Sequence, residues 1–565
     1  MRYIILLIYF IAIGACGQVN WKGANPSVFL EKEVNKLFRA SNIPDSNQIL
    51  TLCRMEGYYR ANLEVDSLIS VKLGPRLSWS KVEFVFKDTS SRKLFEFLNP
   101  SFVGDVSQNS IKDQISKIVN WASANGYPFY KIYWSNIMVV NDSLESQLVI
   151  DFGPFTRFGE IKNLGGLKLE NSYLQGLLDW KEGKAFDVNV WYNIDKRIKS
   201  LLNGKILKGH TTVRKLGFID VEIFVDAKPI NQLEGIAGFT RDAGISAGII
   251  LNGHANLLIY NAFNHNSRTE FTWRGMQGAS QTAHLQFNYP FMLGLKLGPS
   301  YTFDLHRQDS AFANIMNEVG VDYYLTANTS IGLSLINQRA VVLNMNPAQI
   351  SSMMKLPSQL DFSINSYRVS FNYQQQDDFI FPREGSLANI KMDLGLKKTI
   401  INGSLIAYDP SLANLYQDFE EEMVLGFDAS AAWWGSIKRH TFLQEGRVFS
   451  KRLDRRMPAD GVLIGGMQSL FGFDQLSLNW IEFYTLRNGY QFYFQKNANI
   501  GIYYDLALAK EEHVESLTFY EGVAFGFEIG GPVGKLSAAY AMGRRAGGNF
   551  QFNNAKIHMV YKQYL

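Results

Sequence analysis

The sequence is short of cysteine, short of proline, and without charge of one dominant sign. Two cysteines occur in 565 residues, Cys16 and Cys53. Once the N-terminus is processed only Cys53 remains unmodified, so no intrachain disulfide is available and packing with strand pairing must hold the chain together. Fifteen prolines set against 47 glycines, 27 tyrosines and 40 phenylalanines suit a β-rich chain better than a helical bundle. Lysine plus arginine (56) nearly balances aspartate plus glutamate (52), a formal charge of +4. With no basic stripe carrying stacking aromatics, nucleic acid is not an expected partner. A mean hydropathy of −0.10 is too polar for a helical membrane protein. It leaves open a membrane barrel, whose strands alternate lipid-facing and lumen-facing residues.

Catalytic motifs are missing as well. There is no Gly-x-Ser-x-Gly elbow, no His-Glu-x-x-His, no Gly-x-x-x-x-Gly-Lys and no cysteine pair at metal spacing. The eight histidines are scattered. No catalytic residue, metal or cofactor is therefore nominated, and the chain reads as a non-enzyme.

What is present begins with a targeting segment. Arg2 precedes an apolar run over residues 3–13, and Ile13-Gly14-Ala15-Cys16 reads as a lipobox. Residues 1–15 are then a signal peptide and Cys16 the acylated first residue. An uncleaved signal anchor and an ordinary cleavage leaving a free Cys16 are the alternatives.

From residue 28 to about 228 the chain reads as α+β and internally repeated. Glu56-Gly57-Tyr58-Tyr59 leads into a strand-like stretch closing at Gly74-Pro75; Asn125-Gly126-Tyr127-Pro128 leads through two more to Gly153-Pro154. Between them Ile111, Ile115, Ile118 and Val119 share one helical face. The period of about 75 to 80 residues predicts an array of small domains. Units are expected at 77–154 and 155–228, the latter closing on a strand over 218–225. A shorter unit at 25–76 lacks an obvious first strand.

From about residue 231 helical spacing gives way to period-two alternation. Tyr301, Phe303 and Leu305 oppose Thr302, Asp304 and His306. Met392, Leu394 and Leu396 oppose Lys391, Asp393 and Lys397. Ile500, Ile502, Tyr504 and Leu506 oppose Asn499, Gly501, Tyr503 and Asp505. Polar groups kept on one face to the end of the chain predict a closed barrel over 231–565, with a polar lumen and roughly sixteen antiparallel strands.

Within it, Ile-Gly-Gly-Met-Gln-Ser-Leu-Phe-Gly-Phe-Asp at 464–474 reads as a long loop with an apolar tip, which would fold inward out of water. Gly465 and Gly466, followed by Leu470, Phe471, Gly472 and Phe473, resemble the inward-folded loop of the BamA/TamA superfamily of outer-membrane assembly and translocation proteins. Phe471 stands where that family has arginine. Glu482 and Asp505, in Asn479-Trp480-Ile481-Glu482-Phe483 and Ile502-Tyr503-Tyr504-Asp505, take the places of the acids that the family arginine meets. Either aromatic packing of Phe471 and Phe473 holds the loop here, or another cation reaches the acids, with Arg447, Arg452, Arg455 and Arg456 as candidates.

The repeats resemble POTRA domains, the strand-helix-helix-strand-strand units that precede such barrels. The resemblance implies α+β periplasmic POTRA-like domains, then an all-β transmembrane barrel in a bacterial outer membrane, and, with the lipobox, a lipidated TamA-like member. It implies assembly or export of β-barrel or other polypeptides through a lateral gate between first and last strands. Partners would be unfolded outer-membrane or secreted polypeptides, outer-membrane lipids, and accessory periplasmic or lipoprotein subunits. The alternatives are a two-partner-secretion-type pore for one dedicated exoprotein, or a passive structural barrel. The number of repeats and the lipobox weigh against the secretion pore, and the missing arginine favours the passive one.

Overall fold

The computed structural model describes residues 19–22, 26–40, 45–65, 69–87, 100–241, 249–275, 280–511 and 516–564. The signal segment and Cys16 lie outside them. The chain divides into two compact units. One comprises residues 1–160, 182–192 and 213–220; the other comprises 161–181, 193–212 and 221–565.

Ahead of the barrel stand three three-stranded sheets of one topology, in each of which the last strand in sequence lies between the other two. In the first, Asn20–Lys22 runs parallel to Ile69–Lys72, which pairs antiparallel with Asn62–Val65. Helices Val28–Ala40 and Ser46–Met55 connect them. The first unit therefore has the opening strand that it was expected to lack. It is three residues long and precedes residue 25, too short to show alternation in sequence. Leu30 and Val34 on one helix, and Ile49 and Cys53 on the other, turn an i, i+4 face onto Val71 and Leu73.

The second sheet orders Ser78–Phe86, Ser143–Asp151 and Lys131–Val140. Helix Gln108–Ala124 starts where the Ser107 hydroxyl accepts the Ser110 N–H at 3.1 Å. Its buried residues Ile118 and Ala122 meet Leu148, Ile150 and Phe152. The third sheet orders Arg157–Asn163, Phe218–Ala227 and Gly204–Lys215, and its strands run across the division between the units.

The repeated Gly-Tyr frame has a structural cause. Gly57 and Gly126 follow helices and take φ of +93° and +89°. Each then offers its carbonyl to the residue that leads into the next sheet. Gly57 C=O accepts the Leu77 N–H at 3.4 Å, and Gly126 C=O accepts the Thr156 N–H at 2.7 Å. A Cβ at Gly57 would lie 2.9 Å from the Val106 carbonyl oxygen, and one at Gly126 2.5 Å from the Phe155 ring. The motif marks a joint between successive domains.

The second unit closes a barrel of sixteen antiparallel strands from Gln232–Arg241 to Lys556–Tyr564, with a short extra strand, Val462–Ile464, inside one connection. Alternation assigns the faces. On Gly385–Ile400, Met392, Leu394 and Leu396 are exposed, while Asp393 binds Arg368 at 2.6 and 2.7 Å and Lys397 is buried. On Ala498–Glu511, Ile500, Ile502 and Leu508 point outward and Asn499, Tyr503 and Asp505 inward. The outward faces of many strands, Val319, Leu333, Tyr367 and Phe525 among them, form an apolar belt that only a bilayer would cover. This is a transmembrane barrel.

Closure is uneven. The first strand pairs with the second along its whole length, from Gln232↔Leu258 to Arg241↔Ile249. With the last strand, among the described residues, it pairs at Gln232↔Tyr564 and Leu233↔Gln563. Among the described residues no rung joins 234–241 to 556–562. At the end where the chain enters the barrel, helix Asn171–Leu178 lies on a barrel turn. Tyr173 meets Phe291 edge-on at 5.6 Å and takes a hydrogen bond from Asn266 Nδ2 at 2.9 Å, and Asp179 pairs with Lys296 at 3.1 Å.

Candidate functional site: the inward loop and its wall

The loop at 453–477 joins the eleventh strand, His440–Arg452, to the twelfth, Leu478–Gln495. Val462–Ile464 first pairs back onto the twelfth strand, from Val462↔Trp480 to Ile464↔Leu478. Gly465 and Gly466 then turn with φ of +123° and +92°. The turn closes on itself. Gly466 N–H donates to Leu470 C=O and Leu470 N–H to Gly466 C=O, both at 3.0 Å, while the Ser469 hydroxyl accepts the Gly465 N–H at 2.8 Å. The apolar tip is thereby presented as one rigid piece.

Leu470 and Phe471 are buried. Leu470 packs with Trp480, Phe483, Ala507, Ala509 and Tyr520. The Phe471 ring lies 5.3 Å from Tyr503 and shares a cluster with Ala524, Ala539 and Ala541. Phe473 meets Tyr520 edge-on at 5.8 Å. The wall makes room beside Tyr503 and Tyr520 because the neighbouring inward positions, Ala507, Gly522, Ala524, Ala539, Ala541 and Gly543, are small. Gly472, at φ +82°, comes so close that a Cβ there would lie 2.1 Å from the Gly543 nitrogen. Lys556 on the last strand pairs with Asp474 at 2.9 Å, and Arg274 reaches Gln468 at 3.3 Å. The loop thus spans from the twelfth strand to the last and the third.

Of the two acids named from sequence, one is at the loop. Asp505 is 2% exposed and accepts the Phe471 N–H at 2.8 Å. Glu482 is elsewhere, which corrects the expectation that it faces the lumen. Trp480 and Ile481 are both buried at a register shift between Trp480 and Glu482, so the parity slips by one and Glu482 turns outward to accept the Tyr484 hydroxyl at 3.1 Å.

The cation at Asp505 is Arg487, which sequence reasoning missed. From the twelfth strand it grips the carboxylate with Nε and Nη2, both at 2.8 Å. Nη1 donates to the Met467 carbonyl of the loop at 3.0 Å and reaches Glu445 at 3.4 Å. Its Cζ lies 4.3 Å from the Phe471 ring centroid. The signal was available in the sequence: Arg487 has the inward parity of Phe483 on the strand that follows the loop. Of the cations proposed instead, Arg447 pairs with Asp428 at 2.9 Å and Arg455 lies over the Phe419 ring.

Chemically this arrangement is a latch, not a reaction centre. Two charges satisfy each other, one loop N–H and one loop C=O join them, and an aromatic ring covers the pair from water. Beside it lies a cavity of about 190 Å³ whose lining includes Leu387, Arg447, Gln468, Ser469 and Arg487.

No protein-family model matches the sequence, and neither does any curated protein. Solved structures do. CdiB from Escherichia coli superposes with a TM-score of 0.54 at 10% identity, covering 95% of this chain and 97% of that one. CdiB from Acinetobacter baumannii gives 0.54 at 12% identity, covering 96% and 100%. BamA from Haemophilus ducreyi lacking POTRA domains 1–3 gives 0.42 at 13%, covering 86% and 99%. Three POTRA-like sheets leading into a closed sixteen-strand barrel give this chain the fold of the CdiB structures.

Proposed function

We propose that this protein moves polypeptides across or into a bacterial outer membrane, with its POTRA-like domains in the periplasm. The observation that carries the reading is the seam. The first and last strands share Gln232↔Tyr564 and Leu233↔Gln563 and, among the described residues, no further rung. An unpaired strand edge in lipid is costly, because each orphan N–H or C=O lacks a partner. Such an edge favours exchange with an incoming strand. The POTRA-like sheets support the same reading, since strand Lys131–Val140 is an open edge whose outer residues Ile137 to Val140 are exposed and apolar. An extended client can add there by backbone pairing.

Two finer forms follow. Export of a dedicated exoprotein is supported by likeness over nearly the full length of both chains to the CdiB barrels, translocators of the two-partner type. Insertion of other barrels is favoured by the short seam and by the third POTRA-like sheet. Depletion followed by a survey of outer-membrane and secreted proteins separates them. Loss of one secreted protein supports export, and broad loss of barrels supports insertion. No loss of either refutes polypeptide transport and leaves a passive barrel. Accessory subunits and an acylated Cys16 belong to the same proposal and are tested by purification from the membrane and by mass spectrometry of the mature N-terminus.

A further inference from the structure

The loop that carries the latch has a second anchor, at its root. The turn at 457–460 holds Asp460, whose carboxylate is almost wholly buried between two lysines. Lys397 Nζ lies 2.6 Å from Oδ2, and Lys451 Nζ lies 3.1 Å from Oδ1. Oδ2 also accepts the Met457 N–H at 3.0 Å. Lys397, itself 1% exposed, donates to the Arg455 carbonyl at 3.1 Å and has Glu422 at 3.7 Å. Neutral bonds complete the turn. Ala459 N–H donates to Gln359 at 2.9 Å, its carbonyl accepts Asn314 Nδ2 at 3.0 Å, and Asn479 Nδ2 donates to the Pro458 carbonyl at 2.9 Å.

These partners are far apart in the barrel. Asn314 is on the sixth strand, Lys397 on the ninth, Lys451 on the eleventh and Asn479 on the twelfth, while Gln359 closes the loop after the seventh. The residues around them form one apolar core. Phe312, Leu360, Phe362, Leu405, Tyr416 and Met457 bring together three loops, those after strands seven, nine and eleven, with the wall beneath. Connections after odd-numbered strands all lie at the end away from residue 231, where the chain enters. That end of the lumen is thus bridged, over strands six to twelve, by a folded cap.

We propose that the Asp460 knot is the lock of this cap, and that it keeps the barrel closed to ions at that end in the resting state. Removing the carboxylate leaves Lys397 buried with only the more distant Glu422 for balance, which is strongly unfavourable in a dry site. The accessible relief is for the turn to lift from the wall and admit water, carrying loop 453–477 with it. Replacing carboxylate and lysine together by neutral groups removes that drive, since a buried pair exchanged for apolar groups is often tolerated. The latch at Phe471, Arg487 and Asp505 shares no residue with the knot, so tip and root can be uncoupled.

The test is ion conductance of the full-length protein reconstituted in planar bilayers. Asp460→Asn is expected to raise conductance severalfold over the natural protein, and Asp460→Asn with Lys397→Met to return it close to the starting level. Gln359→Ala, which cuts a neutral bond and leaves the charges in place, is expected to open the channel less than Asp460→Asn. Heat-modifiable migration confirms a folded barrel in each case. Unchanged conductance in a folded Asp460→Asn barrel overturns the proposal, as does opening that the double variant fails to reverse. If Asp460→Asn does not fold, Lys451→Met carries the test: intermediate conductance supports the lock and unaltered conductance overturns it. None of these readings depends on which polypeptide, if any, the protein moves.

Discussion

Arg487 and Asp505, on neighbouring strands of the barrel wall, form a two-toothed ion pair at 2.8 Å, and the loop hangs on that pair by its backbone. The side chain at position 471 contributes a ring over the guanidinium rather than a charge. The superfamily resemblance leads one to expect an arginine in the loop. In this chain the guanidinium comes from the wall and the aromatic ring from the loop.

That exchange reverses an expectation drawn from sequence. With two carboxylates assumed to face an aromatic tip, arginine at 471 should be welcome. In the structure only Asp505 of those two is there, and Arg487 already engages both it and Glu445. Phe471→Arg alone is expected to damage the barrel, by placing a second guanidinium against Arg487. Phe471→Arg with Arg487→Leu should recover much of the loss. Phe471→Ala is expected to cost about 3–5 kcal/mol for a well-buried ring, and Arg487→Ala a similar amount by stranding Asp505. Heat-modifiable migration and protease resistance rank the four. A Phe471→Arg protein as robust as the natural one would remove Arg487 from the latch.

Gly472 allows no side chain. Its φ of +82° strains any residue with a Cβ by about 1–3 kcal/mol, and the Cβ would also strike the Gly543 backbone. Gly472→Ala should therefore destabilise the loop and Gly472→Val do so more. Gly531→Ala, where nothing lies within 4 Å, is the control and should be silent. Protease accessibility of residues 465–475 reads the difference.

The fold was largely legible because its signals are periodic. Alternation at Met392, Leu394 and Leu396, and again at Ile500 and Ile502, assigned faces that the structure keeps. The Gly-Tyr frame gave the repeat because at two joints a left-handed glycine, Gly57 or Gly126, follows a helix and bonds the residue leading into the next sheet. What escaped was aperiodic. Strand Asn20–Lys22 is too short to alternate, the register shift at Trp480 inverted Glu482, and the pairing of Arg487 with Asp505 lies across strands, where no local pattern reveals it.

The joints make their own prediction. Gly57→Val and Gly126→Val each put a branched side chain where a left-handed glycine faces the neighbouring domain. Both should leave the barrel's heat-modifiable migration unchanged while exposing residues 74–77 and 153–157 to protease. Equal protection in variant and natural protein would mean that the joints are not held at these glycines.

The seam predicts a graded cross-link. Cysteines at Leu233 and Gln563 sit at a register position and should oxidise readily. Cysteines at Ile236 and Val560, which a continued ladder would place opposite each other, lie beyond the paired rungs and should oxidise more slowly in the resting barrel. Equal yields would indicate a ladder extending past Leu233. If transport needs the seam to open, the Leu233–Gln563 lock should abolish it and reduction restore it.

The last prediction uses the thiols. Cys53 is fully buried between the two helices of the first POTRA-like domain, and burial pushes its thiol up to about 11. The thiolate is the reactive form, so at pH 8 roughly a thousandth of that thiol is available, behind a packed core. Native protein should take no alkylating label at Cys53 within the time that fully labels it in denaturant. An acylated Cys16 would leave the native mature chain without label. One equivalent of native labelling, mapped by mass spectrometry to Cys16, would instead identify a free thiol and rule out the lipid anchor. Rapid native labelling at Cys53 itself would show that the first domain opens on the timescale of the reagent, and that its short opening strand does little to hold it shut.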